Sequence, residues 1–343
     1  THMPKKILIT GGTGFIGHQA VKKFLELTDY TILIVDRLSY AGDLNRVNDV
    51  ISEVGEPNRS RIKFIYHDLK APIDDELLKK LAGTNIILHI GASSHVTRSV
   101  EDPSTFVQDN VVGTFNLLEA ARKVNSLELF YYFSTDEVFG PAPSGIDYKE
   151  NDRYNSSNPY SATKAGGEEL SVAYHNTYGL PIIITHTMNV FGERQHPEKF
   201  IPMCIKKIRD GETITVHSDK TKTIPGTRHY IHAEDVAEAI HFLLTQNIEM
   251  NIDFGGAKCP KFNIVGPEEI NNLELAKLIA DSQGKELNYE MVDFHSSRPG
   301  HDLRYSLSGE KMKKLGWTPS IKLSQRIKQV VEWSLKNENW IEL

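Results

Sequence analysis

The chain has 343 residues, of which 39% are hydrophobic and 24% charged, with a formal net charge of -6 and a pI near 6.2. That length exceeds what one hydrophobic core usually serves, so a large domain with a smaller companion lobe is expected, and the acidic balance argues against a nucleic-acid or membrane-surface partner. Only Cys204 and Cys259 are present, without CxxC or Cys/His spacing, which argues against a disulfide framework and a zinc site and suits a reducing, cytoplasmic setting. Thr1 and His2 read as a tag remnant ahead of the native Met3, and no apolar run is long enough to cross a bilayer.

In chain order, the first half alternates short β-branched runs with longer helical patterns. Strands are expected over Lys6–Thr10, Thr31–Val35, Arg61–Tyr66, Asn85–Ile90, Glu128–Ser134 and Ile182–Thr187. Several are almost continuously apolar, as strands covered by helices on both faces must be. The pattern is that of βαβ units in a doubly wound parallel sheet. Beyond about Asn189 the chain breaks into Pro- and Gly-punctuated loops, with helices expected over Ala233–Thr245, Asn271–Ser282 and Leu323–Lys336 and strands over His229–His232 and Phe262–Val265. These elements form a smaller α/β lobe interleaved with the end of the sheet. His229 and His232 do not suggest a metal site, because residues three apart on a strand face opposite ways.

Thr10-Gly11-Gly12-Thr13-Gly14-Phe15-Ile16-Gly17 joins the first strand to the first helix. Glycines at 11, 14 and 17 allow a tight turn and let a pyrophosphate rest on the free N–H groups of the helix N-terminus. The second strand leads to Asp36, where a carboxylate would accept from an adenosine ribose. Asp36 favours NAD by repelling a ribose 2′-phosphate, although Arg37 beside it would attract one. Asp68-Leu69, after the third strand, are placed to touch the adenine or to cap the next turn.

Tyr160-Ser161-Ala162-Thr163-Lys164 sets a phenol and an ammonium on one helix face. A cation beside a phenol stabilises its anion and makes it a usable base near neutral pH. Together, Gly11 to Gly17 and Tyr160-xxx-Lys164 resemble the extended short-chain dehydrogenase/reductase family, over essentially the whole chain. Within it, Ser134-Thr135-Asp136-Glu137-Val138-Phe139-Gly140 resembles the signature of dTDP-glucose and UDP-glucose 4,6-dehydratases. Asp36 to Gly42, Leu88 to Val100, Pro197 to Pro202 and Arg298 to Tyr305 agree with it.

The resemblance implies a Rossmann domain binding NAD over residues 3–188 and a nucleotide-sugar lobe mainly over 189–343. It assigns catalysis to Thr135, Asp136, Glu137, Tyr160 and Lys164, and cofactor contacts to Gly11, Gly14, Phe15, Ile16, Gly17, Asp36, Arg37, Asp68 and Leu69 besides Tyr160 and Lys164. The implied cycle starts with Tyr160 removing the sugar O4 proton as C4 is oxidised. Glu137 then takes the C5 proton and Asp136 protonates the departing C6 hydroxyl, since adjacent buried carboxyls can hold separated pKa values. Arg228 and Arg298 suit a diphosphate because guanidinium groups pair with phosphate oxygens, and Ser94, Asn189, Lys199, Asn263, His301 and Tyr305 are the remaining substrate candidates.

Thr97, Met188 and Glu193-Arg194 depart from the dehydratase pattern, which leaves glucose and N-acetylglucosamine both open, as are UDP and dTDP, with UDP favoured because the C-terminal pattern resembles rhamnose-pathway enzymes that use it. Three rival functions remain: a dehydratase that also inverts C5, a UDP-sugar 4-epimerase that would not need Asp136-Glu137, and a non-catalytic NAD-binding regulatory module. The helices after Pro103 and Pro159 carry Val107, Val111, Phe115, Leu118, Leu170, Tyr174 and Tyr178 on more than one face, so a homodimer is expected.

Overall fold

The computed structural model describes residues 2–38, 42–91, 96–248, 259–293 and 304–342, with the side chains of 96–98 excepted. Its strands are β1 (Lys6–Thr10), β2 (Thr31–Asp36), β3 (Ile62–Tyr66), β4 (Ile86–His89), β5 (Leu129–Thr135), β6 (Ile182–Thr187), β7 (Asn189–Phe191), β8 (Ile214–Ser218), β9 (Thr227–His232), β10 (Lys261–Ile264), β11 (Glu269–Asn271) and β12 (Tyr289–Asp293). The helices of the first half are α1 (Phe15–Leu27), α2 (Leu44–Val54), α3 (Asp75–Leu81), α4 (Val96–Glu101), α5 (Pro103–Phe106), α6 (Gly113–Ala121) and α7 (Pro159–Tyr178). Those of the second half are α8 (Phe200–Arg209), α9 (Ala233–Thr245), α10 (Asn272–Gln283), α11 (Glu310–Leu315) and α12 (Leu323–Lys336).

Seven strands form one parallel sheet in the order β10-β6-β5-β4-β1-β2-β3. Strand side chains alternate between faces. On β1, Ile7 and Ile9 therefore join a core with α1, α2 and α9, while Leu8 joins one with α3, α6 and α7. Burial on both faces is the physical reason β1, β2, β4, β5 and β6 read as apolar runs, whereas β3, at the sheet edge, leaves Phe64 and Tyr66 exposed. From β1 the chain winds outward to β2 and β3 on one side and to β4, β5 and β6 on the other, so a crevice opens beyond the carboxyl ends of β1 and β4.

A second core lies among α8, α10 and α12 and the small sheets β11-β9-β7 and β12-β8. The interleaving has a definite form: α9 packs back against α1, and β10 pairs with β6 in the large sheet. Leu118 is fully buried and Tyr174 is 8% exposed, so these two of the expected dimer residues cover the sheet instead.

Candidate active site

The crevice is one continuous cavity of about 790 Å³ that runs from the glycine turn, across the ends of β1, β4 and β5, into the second lobe. At its dinucleotide end Gly11 has φ +71°, and a side chain there would meet Gly91 Cα at 2.8 Å. A Cβ on Gly17 would lie 2.0 Å from the Gly11 carbonyl oxygen. Gly14 has no side chain at the N-cap of α1 and Phe15 and Ile16 open that helix, all three lining the cavity.

Asp36 ends β2 with its carboxylate held by the glycine turn: Oδ2 accepts from Thr13 N (3.1 Å) and Thr13 Oγ1 (2.5 Å), and Oδ1 from Leu38 N (2.8 Å). A carboxylate offers about four acceptor positions, so one remains on Oδ1 for a ribose hydroxyl. Arg37, the residue that could have drawn a 2′-phosphate, is gripped by Asp109 at 2.7 Å through both terminal nitrogens, with Asp68 at 3.6 Å. Asp109 reaches it from a π-helical turn, Val107–Val112, the kind of local insertion that redirects a side chain. Asp68 and Leu69 line the cavity beside them. These features fit a dinucleotide with an unmodified adenosine ribose.

At the catalytic end β5 stops at Thr135, which caps a single turn, Asp136–Phe139, by accepting from Glu137 N at 3.3 Å. Val138 and Phe139 are buried and anchor the turn, while Asp136 and Glu137 line the cavity. Tyr160 and Lys164 follow the Asn158 capping box of α7, one turn apart. Lys164 Nζ donates to Phe133 O at 2.8 Å and sits 4.6 Å from the Tyr132 ring centroid.

Burial lowers Lys164 to about 8, against the pull of Glu168. Burial and then Glu137 raise the Tyr160 phenol well above its ordinary range, with a hydrogen bond to Thr135 opposing them. Burial also lifts Asp136 to about 6, opposed by Arg228, Thr135 and His186. Asp136 is thus a carboxyl able to hold or give a proton near neutral pH.

In the second lobe, Asn189 on β7, Lys199 before α8, Arg228 on β9 and Tyr305 line the cavity. The Arg228 guanidinium lies 4.9 Å from the Tyr305 ring centroid, and Tyr305 Oη is 3.0 Å from Ser157 Oγ. Asn263 is a correction. It is wholly buried on β10 and outside the cavity, with Nδ2 donating to Tyr148 O (3.0 Å) and Ser308 O (3.3 Å) and Oδ1 against His186 Nδ1 (2.8 Å). Ser94, Arg298 and His301 lie outside the described residues.

Several wall residues have no local signal in the sequence. Arg46 on α2 donates to Thr13 O and Arg194 O, both at 3.0 Å, and burial lowers it to about 10. Lys207, Thr215, His217 and Tyr230 close the far end. They come from α8, β8 and β9, which only the fold brings together.

The sequence pattern of the GDP-mannose 4,6 dehydratase family matches residues 8–330. The chain belongs to this family. Over 98% of its length it is 33% identical to the dTDP-glucose 4,6-dehydratase of Salmonella typhimurium, covering 94% of that protein. The crystal structure of DesIV, the dTDP-glucose 4,6-dehydratase of Streptomyces venezuelae, solved with NAD bound, is 33% identical with a TM-score of 0.85, covering 98% of this chain and 99% of that one. The family fold reaches further: the Thermus thermophilus UDP-glucose 4-epimerase in complex with NAD is 26% identical, with a TM-score of 0.80 over 95% of this chain and 98% of its own.

Proposed function

We propose that this protein is an NAD-dependent 4,6-dehydratase of a nucleotide-linked hexose, with dTDP-glucose, the substrate named for its relatives, as the first to test. The observation that carries the reading is the meeting of Thr135, Asp136 and Glu137 with Tyr160 and Lys164 in one cavity that begins at a dinucleotide turn. A 4-epimerase needs the turn and the Tyr160–Lys164 pair but has no step for two further proton carriers.

Gly11, Gly14, Gly17 and Asp36 would hold NAD, which when bound would supply a reversible acceptor for the C4 hydride. Tyr160, with Lys164 behind it, takes the O4 proton. The C4 ketone acidifies C5–H, Glu137 removes that proton, and Asp136 protonates the C6 hydroxyl as it leaves as water. An acid near 6 in Asp136 supports that assignment. Arg228 and Lys199 are the cations for the diphosphate, with Asn189 and Tyr305 as polar contacts.

Incubation with dTDP-glucose, UDP-glucose and UDP-N-acetylglucosamine, read by mass spectrometry and by NMR at C5, tests this. Loss of one water without added reductant is expected; an isomer of unchanged mass would make the protein an epimerase.

Assembly as a homodimer is part of the same reading. Val107, Phe115 and Tyr178 are 42%, 43% and 47% exposed on the π-helical turn, α6 and α7, an apolar face that a two-fold mate would cover. Light scattering at micromolar concentration should give twice the chain mass. A cytoplasmic location is proposed from the buried free thiols Cys204 and Cys259; among the described residues no helix is long and apolar enough to cross a membrane.

A further inference from the structure

The choice between NAD and its 2′-phosphorylated form is made at the adenosine ribose, and two consecutive residues pull it in opposite directions. Asp36 brings a carboxylate, which repels a 2′-phosphate. Arg37 brings a guanidinium, the side chain best suited to hold one. The carboxylate is fixed by Thr13 and Leu38. The guanidinium lines the same cavity with five N–H donors, so the outcome depends on where those donors point.

Their direction is set from a distant part of the chain. Arg37 Nη1 and Nη2 donate to Oδ1 and Oδ2 of Asp109, both at 2.7 Å. Two parallel bonds between charged groups are among the strongest contacts an arginine makes. The Asp109 side chain is only 5% exposed, so water competes little for it. Its position comes from the π-helical turn Val107–Val112, and the next residue, Asn110, ties that turn to α7 by donating to Thr163 Oγ1 at 3.0 Å.

Charge acts in the same sense. Asp68 stands 3.6 Å from Arg37 Nη1, and Lys70 lies 3.4 Å from Asp68. The carboxylates of Asp36, Asp68 and Asp109 therefore outnumber the cations Arg37 and Lys70 on this stretch of wall. A phosphate monoester adds a charge of roughly −2. It would enter a wall that is already negative and would have to draw Arg37 from a partner that holds both of its terminal nitrogens.

We propose that Asp109 is a specificity-determining residue for the cofactor: by pairing with Arg37 it withholds the guanidinium from a ribose 2′-phosphate and so keeps the site for NAD. Asp36 supplies the repulsion, and Asp109 cancels the attraction beside it. The role of Asp109 belongs to the dinucleotide site and does not depend on the dehydratase reading.

The cofactor carried by the purified protein tests this. Parent, Asp109→Asn and the double variant Arg37→Met/Asp109→Asn are prepared from one host strain, denatured, and the released NAD and NADP separated by chromatography. The parent should carry NAD. Asp109→Asn keeps the shape of the side chain without its charge and should raise the NADP:NAD ratio by about 10- to 100-fold, the span of one charge-assisted hydrogen bond. Adding Arg37→Met should bring the ratio back to the parental value, because the guanidinium is what the carboxylate had held.

A parental ratio in Asp109→Asn overturns the proposal, and so does a double variant that keeps the raised ratio, since Asp109 would then act without Arg37. A merely structural role would lower both cofactors together and leave the ratio unmoved. Should Asp109→Asn give no soluble protein, Asp68→Asn decides. Its side chain is 31% exposed, and loss of this looser contact should raise the ratio by about threefold; an unmoved ratio overturns the proposal. Product mass from dTDP-glucose in the parent tests the dehydratase reading separately, because the cofactor ratio is read whether or not product forms.

Discussion

At the glycine turn of the dinucleotide end the wall is main chain, with Gly11 and Gly17 leaving no room for a Cβ, and side chains such as Asp36, Asp68 and Leu69 take over beyond it. In the second lobe the wall is side chain: Arg228 from β9, Lys199 before α8, and Tyr305 ahead of α11. A main-chain site has almost no graded response to substitution, because a Cβ either fits or displaces the turn. A side-chain site loses one contact at a time. The glycine turn is therefore expected to be all-or-none, and the wall in the second lobe to be tunable in affinity and pH dependence.

The largest effect should come from Gly17→Ala. Its Cβ would stand 2.0 Å from the Gly11 carbonyl oxygen, and such overpacking costs about 1–3 kcal/mol, or more where backbone has to move. The purified variant should carry no NAD, by chromatography of the released cofactor, and should melt several degrees lower. Parental NAD content would break the contrast between the two ends.

A smaller and graded effect is expected for Arg228→Ala. Losing a charge-assisted contact to the diphosphate weakens binding by about 1.5–3 kcal/mol, seen as a raised KM. Arg228 also opposes the upward shift of Asp136. As general acid, Asp136 must be protonated, so kcat should fall as pH rises through a limb set by that group. Without the cation the carboxyl keeps its proton to higher pH, and the limb should move upward. A pH–kcat profile with an unmoved limb would show that Asp136 is not the group it reports.

The same contrast explains what was legible in the sequence. Lys6–Thr10 and Ile182–Thr187 are bounded as their apolar runs indicate, since both are buried on both faces. The glycine turn and the Tyr160–Lys164 pair are local patterns, complete within a few residues. β7 and β11 span three residues each, too short for a periodicity, and were not foreseen.

Long-range partners were hidden for a related reason. Asp109 neutralises Arg37 from 72 positions away, and Arg46 reaches Arg194 across 148. Asn263 resembled a substrate contact by position, but its fate was decided by His186, Tyr148 and Ser308, which only the completed sheet sets around it. Nothing in its own neighbourhood in the sequence carries that information.

In the proposed cycle Tyr160 acts before the Asp136–Glu137 pair, and rapid mixing of Tyr160→Phe and Glu137→Gln with dTDP-glucose separates the two steps. Removing a general base slows its step by on the order of 10² to 10⁴-fold, enough to separate the two stalls. Glu137→Gln should show the absorbance of reduced cofactor rising and persisting with little product, because C4 is oxidised and C5–H then has no acceptor. Tyr160→Phe should show neither absorbance nor product. If Glu137→Gln instead turns over at the parental rate, or brings solvent deuterium into C5 of its product as fast as the parent does, Glu137 is not the second base and the assignment of the pair fails.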